Sequence, residues 1–233
     1  MYFDTTYLLF VLPAVILSLW ASWNVKHTYR KYSQQFNSRG ITGAQAARRV
    51  LDANGLRDVP VVRTDGDLTD HYDPTNRTVF LSDSVCGSTS TAAVGVACHE
   101  VGHAIQHADN YLPIRIRQAI IPATSIGEKL SVPLLFIGLF LSSYSQKFLS
   151  LAYAGILLYG LCVLFQVVTL PTEFDASRRA LRSIEGMGLL EGEELKGAKK
   201  VLTAAALTYV AALATTLMQL LRFIVLVNNR KRD

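Results

Sequence analysis

Cys98-His99-Glu100-Val101-Gly102-His103-Ala104-Ile105-Gln106-His107 is the stretch on which the reading of this chain turns. It contains an H-E-x-x-H pattern, His99 to His103. On a helix, residues four apart share one face about 6 Å from each other. Two imidazoles so placed can both reach one Zn²⁺ at about 2.0–2.1 Å. Glu100 adjoins the first ligand, where its carboxylate can hold the attacking water and take its proton. The motif requires a helix, and the flanking residues supply one. Ser88-Thr89-Ser90 offers an N-cap, Thr91–His107 is rich in Ala and Val, and Tyr111-Leu112-Pro113 ends the run.

A catalytic zinc takes three protein ligands and leaves one position open. His107 continues the i, i+4 series, but three such residues spread over about 12 Å of helix axis, too far for one metal. The pattern H-E-x-x-H-x-x-G-x-x-H, which closes a site with a third His, is absent: Gln106 and Asp109 stand where its Gly and His belong. His107 therefore reads as a surface or supporting residue. The best third ligand is a distant carboxylate, Glu173, with Asp175 beside it to orient a histidine through its other ring nitrogen. Taken alone, Glu173 reads equally well as a helix-start carboxylate favoured by the helix dipole. Glu185, Glu191, Glu193 and Glu194 lie in a solvated run and are weaker candidates. His71 and Tyr72 offer groups that could stabilise an oxyanion, although for His71 a plain turn role is the favoured reading.

Half of the 233 residues are hydrophobic and only 18% are charged, with a mean hydropathy of +0.26. The excess of apolar residues is gathered into blocks, as expected for a domain combined with membrane helices. The net charge of +5 is spread thinly, without the basic runs and interleaved aromatics of a nucleic-acid binder, so no nucleic-acid partner is expected. Cys86, Cys98 and Cys162 are odd in number and form no C-x-x-C pair, which argues against both a disulfide framework and a thiolate zinc site.

Five segments follow along the chain. Residues 1–23 form an apolar anchor without a basic n-region, with Trp20, Trp23, Lys26, Arg30 and Lys31 at and beyond its far end. Residues 24–118 make the first part of a peptidase-like domain. In it a helix opens at Thr42-Gly43 and stops near Asn54-Gly55, and strands are expected at Val59–Arg63 and Arg77–Ser82. Residues 119–170 read as a transmembrane hairpin. Its first arm, roughly Leu130–Tyr144, is long enough only if it extends back over Glu128 and Lys129, and its second arm, Ser150–Thr169, carries no charge. Pro171 is expected to end the hairpin, and residues 171–200 carry the third ligand. Residues 201–233 hold an apolar helix and a basic tail, and whether that helix crosses the bilayer or packs on the domain stays open. Residues 24–118 carry eleven Lys/Arg and 171–200 carry six, against only Lys147 in the hairpin link. The domain is therefore expected on the cytoplasmic face, although the Arg230-Lys231-Arg232 tail runs against that count.

HEVGHAIQH, the preceding GDLTDHYDP, the TLPTEFDASRRAL segment and the later VLTAAALTYVAA together resemble the YugP-type membrane zinc metallopeptidases, in the same order over roughly residues 24–227. The resemblance extends more distantly to HtpX-like and CAAX-processing membrane proteases. It implies an α+β, mostly helical, zincin-like fold of gluzincin type, with a small edge-strand sheet and three or four transmembrane helices. It also implies one Zn²⁺ per chain on His99, His103 and Glu173, with Glu100 as base, in a bacterial cytoplasmic membrane. Asp70, Asp73, Thr78, Val79 and Phe80 would belong to an edge strand on which a peptide substrate adds. The HtpX-like pattern carries Asp four residues after the third ligand, where this chain has Ser177. The activity implied is a membrane endopeptidase acting on membrane-associated or misfolded proteins, with the bilayer as its other partner. A non-catalytic membrane scaffold with a structural zinc site is the competing expectation.

Overall fold

The computed structural model describes residues 5–232. After a short π-helical turn, α1 (Leu12–Ser33) leads to α2 (Gly43–Ala53), and then to β1 (Val61–Thr64), β2 (His71–Asp73) and β3 (Thr78–Ser82). The chain continues through α3 (Asp83–Cys86), α4 (Thr91–Ala108), α5 (Leu112–Leu141), a 3-10 turn at Gln146–Phe148, α6 (Leu149–Gly186) and α7 (Gly192–Arg232). It is mostly helical with one three-stranded sheet. Two compact units can be distinguished among the described residues: 5–20, 116–170 and 209–232 form one, and 21–115 and 171–208 form the other.

The second unit contains the zinc motif. Its helices begin where local chemistry starts them. Thr42 forms a full capping box with Gln45 at the head of α2, and Ser90 accepts from the Ala93 N–H at the head of α4. Val50 and Leu51 of α2, Val79 and Leu81 of β3, and Val94, Ala97 and Val101 of α4 are fully buried together. Ile184 of α6 and Ala198 of α7 close the same core. The abundance of Ala on α4 keeps that helix thin enough to be surrounded on all sides.

The sheet corrects one expectation. Its order is β1-β3-β2, with β3 parallel to β1 and antiparallel to β2. Thr78, Val79 and Phe80 therefore lie on the central strand, paired on both flanks, and cannot take up an added peptide strand. The edge strands that flank them are β1 and β2. Asp70 and Asp73 have structural partners instead. Asp70 accepts from both the N–H and the hydroxyl of Ser82, and Asp73 accepts from the Thr75 N–H and the Asn76 amide in the β2–β3 turn.

The first unit is built from long apolar helices. Among the described residues, four helices are long and apolar enough to cross a membrane: Tyr7–Ser33, Leu112–Leu141, Gln146–Gly186 and Gly192–Lys231. Only 17–28% of each apolar window is buried, so most of that surface faces outward, as a bilayer solvent allows and water does not. Pro171 departs from its expected role as a terminator. It lies inside α6, which runs unbroken from Leu149 to Gly186, so the apolar Ser150–Thr169 segment and Glu173 share one helix. Pro122 and Pro133 are likewise interior to α5. In apolar surroundings the local hydrogen bonds of a helix are kept, because few other partners for its backbone exist there. α7 is also one helix, whose Arg230 guanidinium donates to the hydroxyls of Ser142 and Ser143 in the α5–α6 link.

Candidate metal centre

α4 presents His99 and His103 on one face, their rings meeting edge-on with centroids 4.8 Å apart. Glu173 arrives from α6. Its Oε2 lies 3.3 Å from His99 Nε2 and 3.5 Å from His103 Nε2, and one donor atom from each of the three residues lies within 4.8 Å of the others. Tetrahedral zinc with bonds of about 2.0–2.1 Å separates its ligand atoms by about 3.3–3.4 Å. The two separations from Glu173 lie at and just above that range, and a His₂-carboxylate donor set suits zinc in chemistry.

The outer nitrogens of both imidazoles are occupied. His103 Nδ1 lies 3.0 Å from Gln106 Oε1. The Gln106 amide nitrogen donates to the Thr172 carbonyl at 2.7 Å and to Asp175 Oδ2 at 3.0 Å. With its NH₂ so engaged, Gln106 offers His103 only an acceptor, so Nδ1 carries a proton and Nε2, the nitrogen that faces Glu173, is left for a second proton or a metal. Asp175 is held in turn by Arg179 at 2.6 Å, and Arg179 by Asp109 at 2.5 Å. His99 Nδ1 lies 3.1 Å from the Ser177 hydroxyl, which can accept a proton from that nitrogen and hold the ring in place. The expectation that Asp175 touches a histidine is thus corrected: it acts one step removed, through Gln106.

Glu173 is 2% exposed and His103 is 9% exposed. Burial alone would raise the Glu173 carboxyl, but hydrogen bonds from His103 and His99 outweigh it and hold the group well below the usual carboxylate range. The converse holds for His103. Burial pushes it down, while the hydrogen bond and charge of Glu173, with the charge of Glu100, raise it above the ordinary imidazole value. The pocket favours a positive charge between these groups, which a proton or a divalent cation can supply.

Sequence reading overlooked Gln106 and Ser177 as supporting groups. Gln106 was findable, because it lies three residues after His103 on the same helix face. Ser177 likewise follows Glu173 by four. The remaining candidates stand apart from the ligand triad. The His71 ring stacks on Phe80 with centroids 4.9 Å apart, and its Nδ1 lies 2.8 Å from the Thr69 carbonyl oxygen. The Tyr72 hydroxyl lies 2.9 Å from His107 Nδ1, which ties the edge of the sheet to the end of α4.

A family model described as "Putative neutral zinc metallopeptidase" matches residues 7–228. The chain belongs to this family. It is also 46% identical over 228 residues to a Bacillus subtilis (strain 168) protein named "Putative membrane protease YugP", covering 97% of this chain and 99% of that one. The resemblance read from the four sequence stretches is thereby borne out. No solved structure matches the chain. Family membership, the donor triad and the four apolar helices together describe a membrane protein of the zinc metallopeptidase type.

Proposed function

We propose that this chain is an integral-membrane zinc endopeptidase with a zincin-like, gluzincin-type site, one Zn²⁺ per chain being held by His99, His103 and Glu173. The observation that carries this reading is the convergence of three donor atoms within 4.8 Å of one another, with 3.3 and 3.5 Å for the two pairs that share Glu173. When bound, zinc supplies Lewis-acid activation of water and polarisation of the scissile carbonyl. The chain's own residues do the rest. Glu100, on α4 between the two histidines and 9% exposed, takes a proton from the attacking water and passes it to the leaving amine. Gln106 holds His103 in the tautomer that presents Nε2 inward, and Ser177 holds the His99 ring through Nδ1. The free edge of β2, beside Tyr72, is the place where an extended peptide can add by backbone hydrogen bonds.

The substrates are membrane-associated or misfolded membrane proteins, because the helices that carry Glu173 also tie the site to the bilayer. The seventeen Lys/Arg of residues 24–118 and 171–200 support placing the catalytic unit on the cytoplasmic face of a bacterial inner membrane. Glu100→Gln tests the reading against the competing scaffold. Zinc content stays near one per chain while cleavage of a casein or membrane substrate drops by about 10²–10⁴-fold. A variant that cleaves as well as the parent removes Glu100 from the mechanism, and a closed structural site has no need of it.

A further inference from the structure

A cleft of about 550 Å³ opens between α1 and α7 in the second unit, away from the metal ligands. We propose that it binds the phosphate-bearing headgroup of an anionic phospholipid. His27 and Lys31 of α1 line it from one side, and Lys196, Lys199 and Lys200 of α7 from the other. None of its eleven lining residues is acidic. Lys196 pairs with Glu193 at 2.7 Å on the exposed outer surface, and Lys31 and Lys200 both lie over the ring of Tyr32, at 5.6 and 6.0 Å from its centroid. The ring can lie against α7 because residue 197 is glycine: a Cβ there would be 2.7 Å from the Tyr32 ring. That close approach gathers cations from two helices around one point, at a cost in self-repulsion that an anion relieves.

The cleft is also amphipathic along its length, which separates a lipid from free phosphate as the occupant. Ala204 and Leu207 line its other end, and Leu207 is about 10 Å along the helix axis from Lys200. From that end α7 continues into its apolar segment, and α1 leads back into its own. The basic end suits a headgroup and the apolar end suits the start of an acyl chain. Trp23, stacked on His27 with centroids 5.1 Å apart, has the amphipathic character of a side chain at the headgroup level. Clustered lysines beside a membrane helix attract anionic lipid in this way.

The test uses the full-length protein in detergent, with native mass spectrometry reading bound lipid during titration with phosphatidylglycerol, phosphatidylcholine or inorganic phosphate. Lys199 and Lys200 are exposed, so Lys199→Gln/Lys200→Gln leaves the fold intact, which circular dichroism and zinc content check. Retention of phosphatidylglycerol should exceed that of phosphatidylcholine about tenfold and resist competition by inorganic phosphate. It should fall about fivefold for each lysine removed, and Arg49→Gln/Arg57→Gln, which removes two exposed cations elsewhere, should leave it unchanged. Equal retention of the two lipids overturns the proposal, as does full retention by the lysine variant. Displacement by inorganic phosphate also overturns it, by making the cleft a soluble-anion site. Should the lysine variant misfold, Lys199→Gln alone carries the same comparison.

Discussion

A Cβ on Gly102 would lie 2.5 Å from the carbonyl oxygen of Ala176. The backbones of α4 and α6 therefore touch one residue before His103 and three residues after Glu173, and this contact brings two distant segments within ligand distance of each other. The variable position of the zinc motif before its second histidine is thus not free in this chain. Any side chain there forces the two helices apart.

Gly102→Ala should accordingly destabilise the protein by about 1–3 kcal/mol through overpacking and weaken zinc binding as Glu173 withdraws. Chelator competition, run beside a thermal melt, separates the two effects. Unchanged zinc affinity in a folded Gly102→Ala variant would show that the contact does not set the ligand spacing.

Gln106→Leu removes the group that fixes His103 and leaves Asp175 with one partner fewer. Zinc affinity should fall about 10–100-fold, the usual scale for a group supporting a metal-bound histidine. Ser177→Ala should act in the same direction through His99. If both variants hold zinc as tightly as the parent, the imidazoles are oriented by packing alone.

The metal-free protein should show a pH dependence that zinc abolishes. His103 is raised above its ordinary value of 6.5 by Glu173, so its contribution to stability is full below about pH 6.5 and is lost as pH rises through the raised value. Glu173 is lowered from 4.5, so its contribution is present above about pH 4.5 and is lost as pH falls through the lowered value. Thermal melts of chelated protein should peak between those two limits. Zinc loading should release a proton and weaken as the pH is lowered. A chelated protein whose melting temperature climbs steadily from pH 6 to pH 8 would contradict the assignment.

Tyr72→Phe breaks the 2.9 Å contact with His107 at a stability cost of about 0.5–1.5 kcal/mol. Zinc content should stay at one per chain, because neither residue belongs to the donor triad. Loss of metal in this variant would bring His107 back as a ligand.

Much of this molecule was legible because its cause is local. Ser90 caps α4 and Thr42 caps α2 through side chains three residues from the groups they satisfy. The i, i+4 spacing alone sets His99 and His103 on one face, and four apolar stretches are long enough to cross a membrane whatever packs beside them. Glu173 stood out in the sequence only as one of two equal readings, since a carboxylate at that point serves a helix start as readily as a metal.

Other features depend on neighbours that no spacing encodes. Pro171 ends a helix by local rules, yet α6 runs through it from Leu149 to Gly186. Thr78, Val79 and Phe80 alternate like any strand, and only pairing with β1 on one side and β2 on the other makes them central. Sequence alone determined the capped starts of α2 and α4 and the shared face of His99 and His103, all of which depend on residues within one or two turns. The arrival of Glu173 beside the two histidines, the Ser177 contact with His99 and the central place of β3 were decided by tertiary packing. The first two rest on contacts between residues 74 and 78 apart, and the absent side chain of Gly102 lets those segments meet.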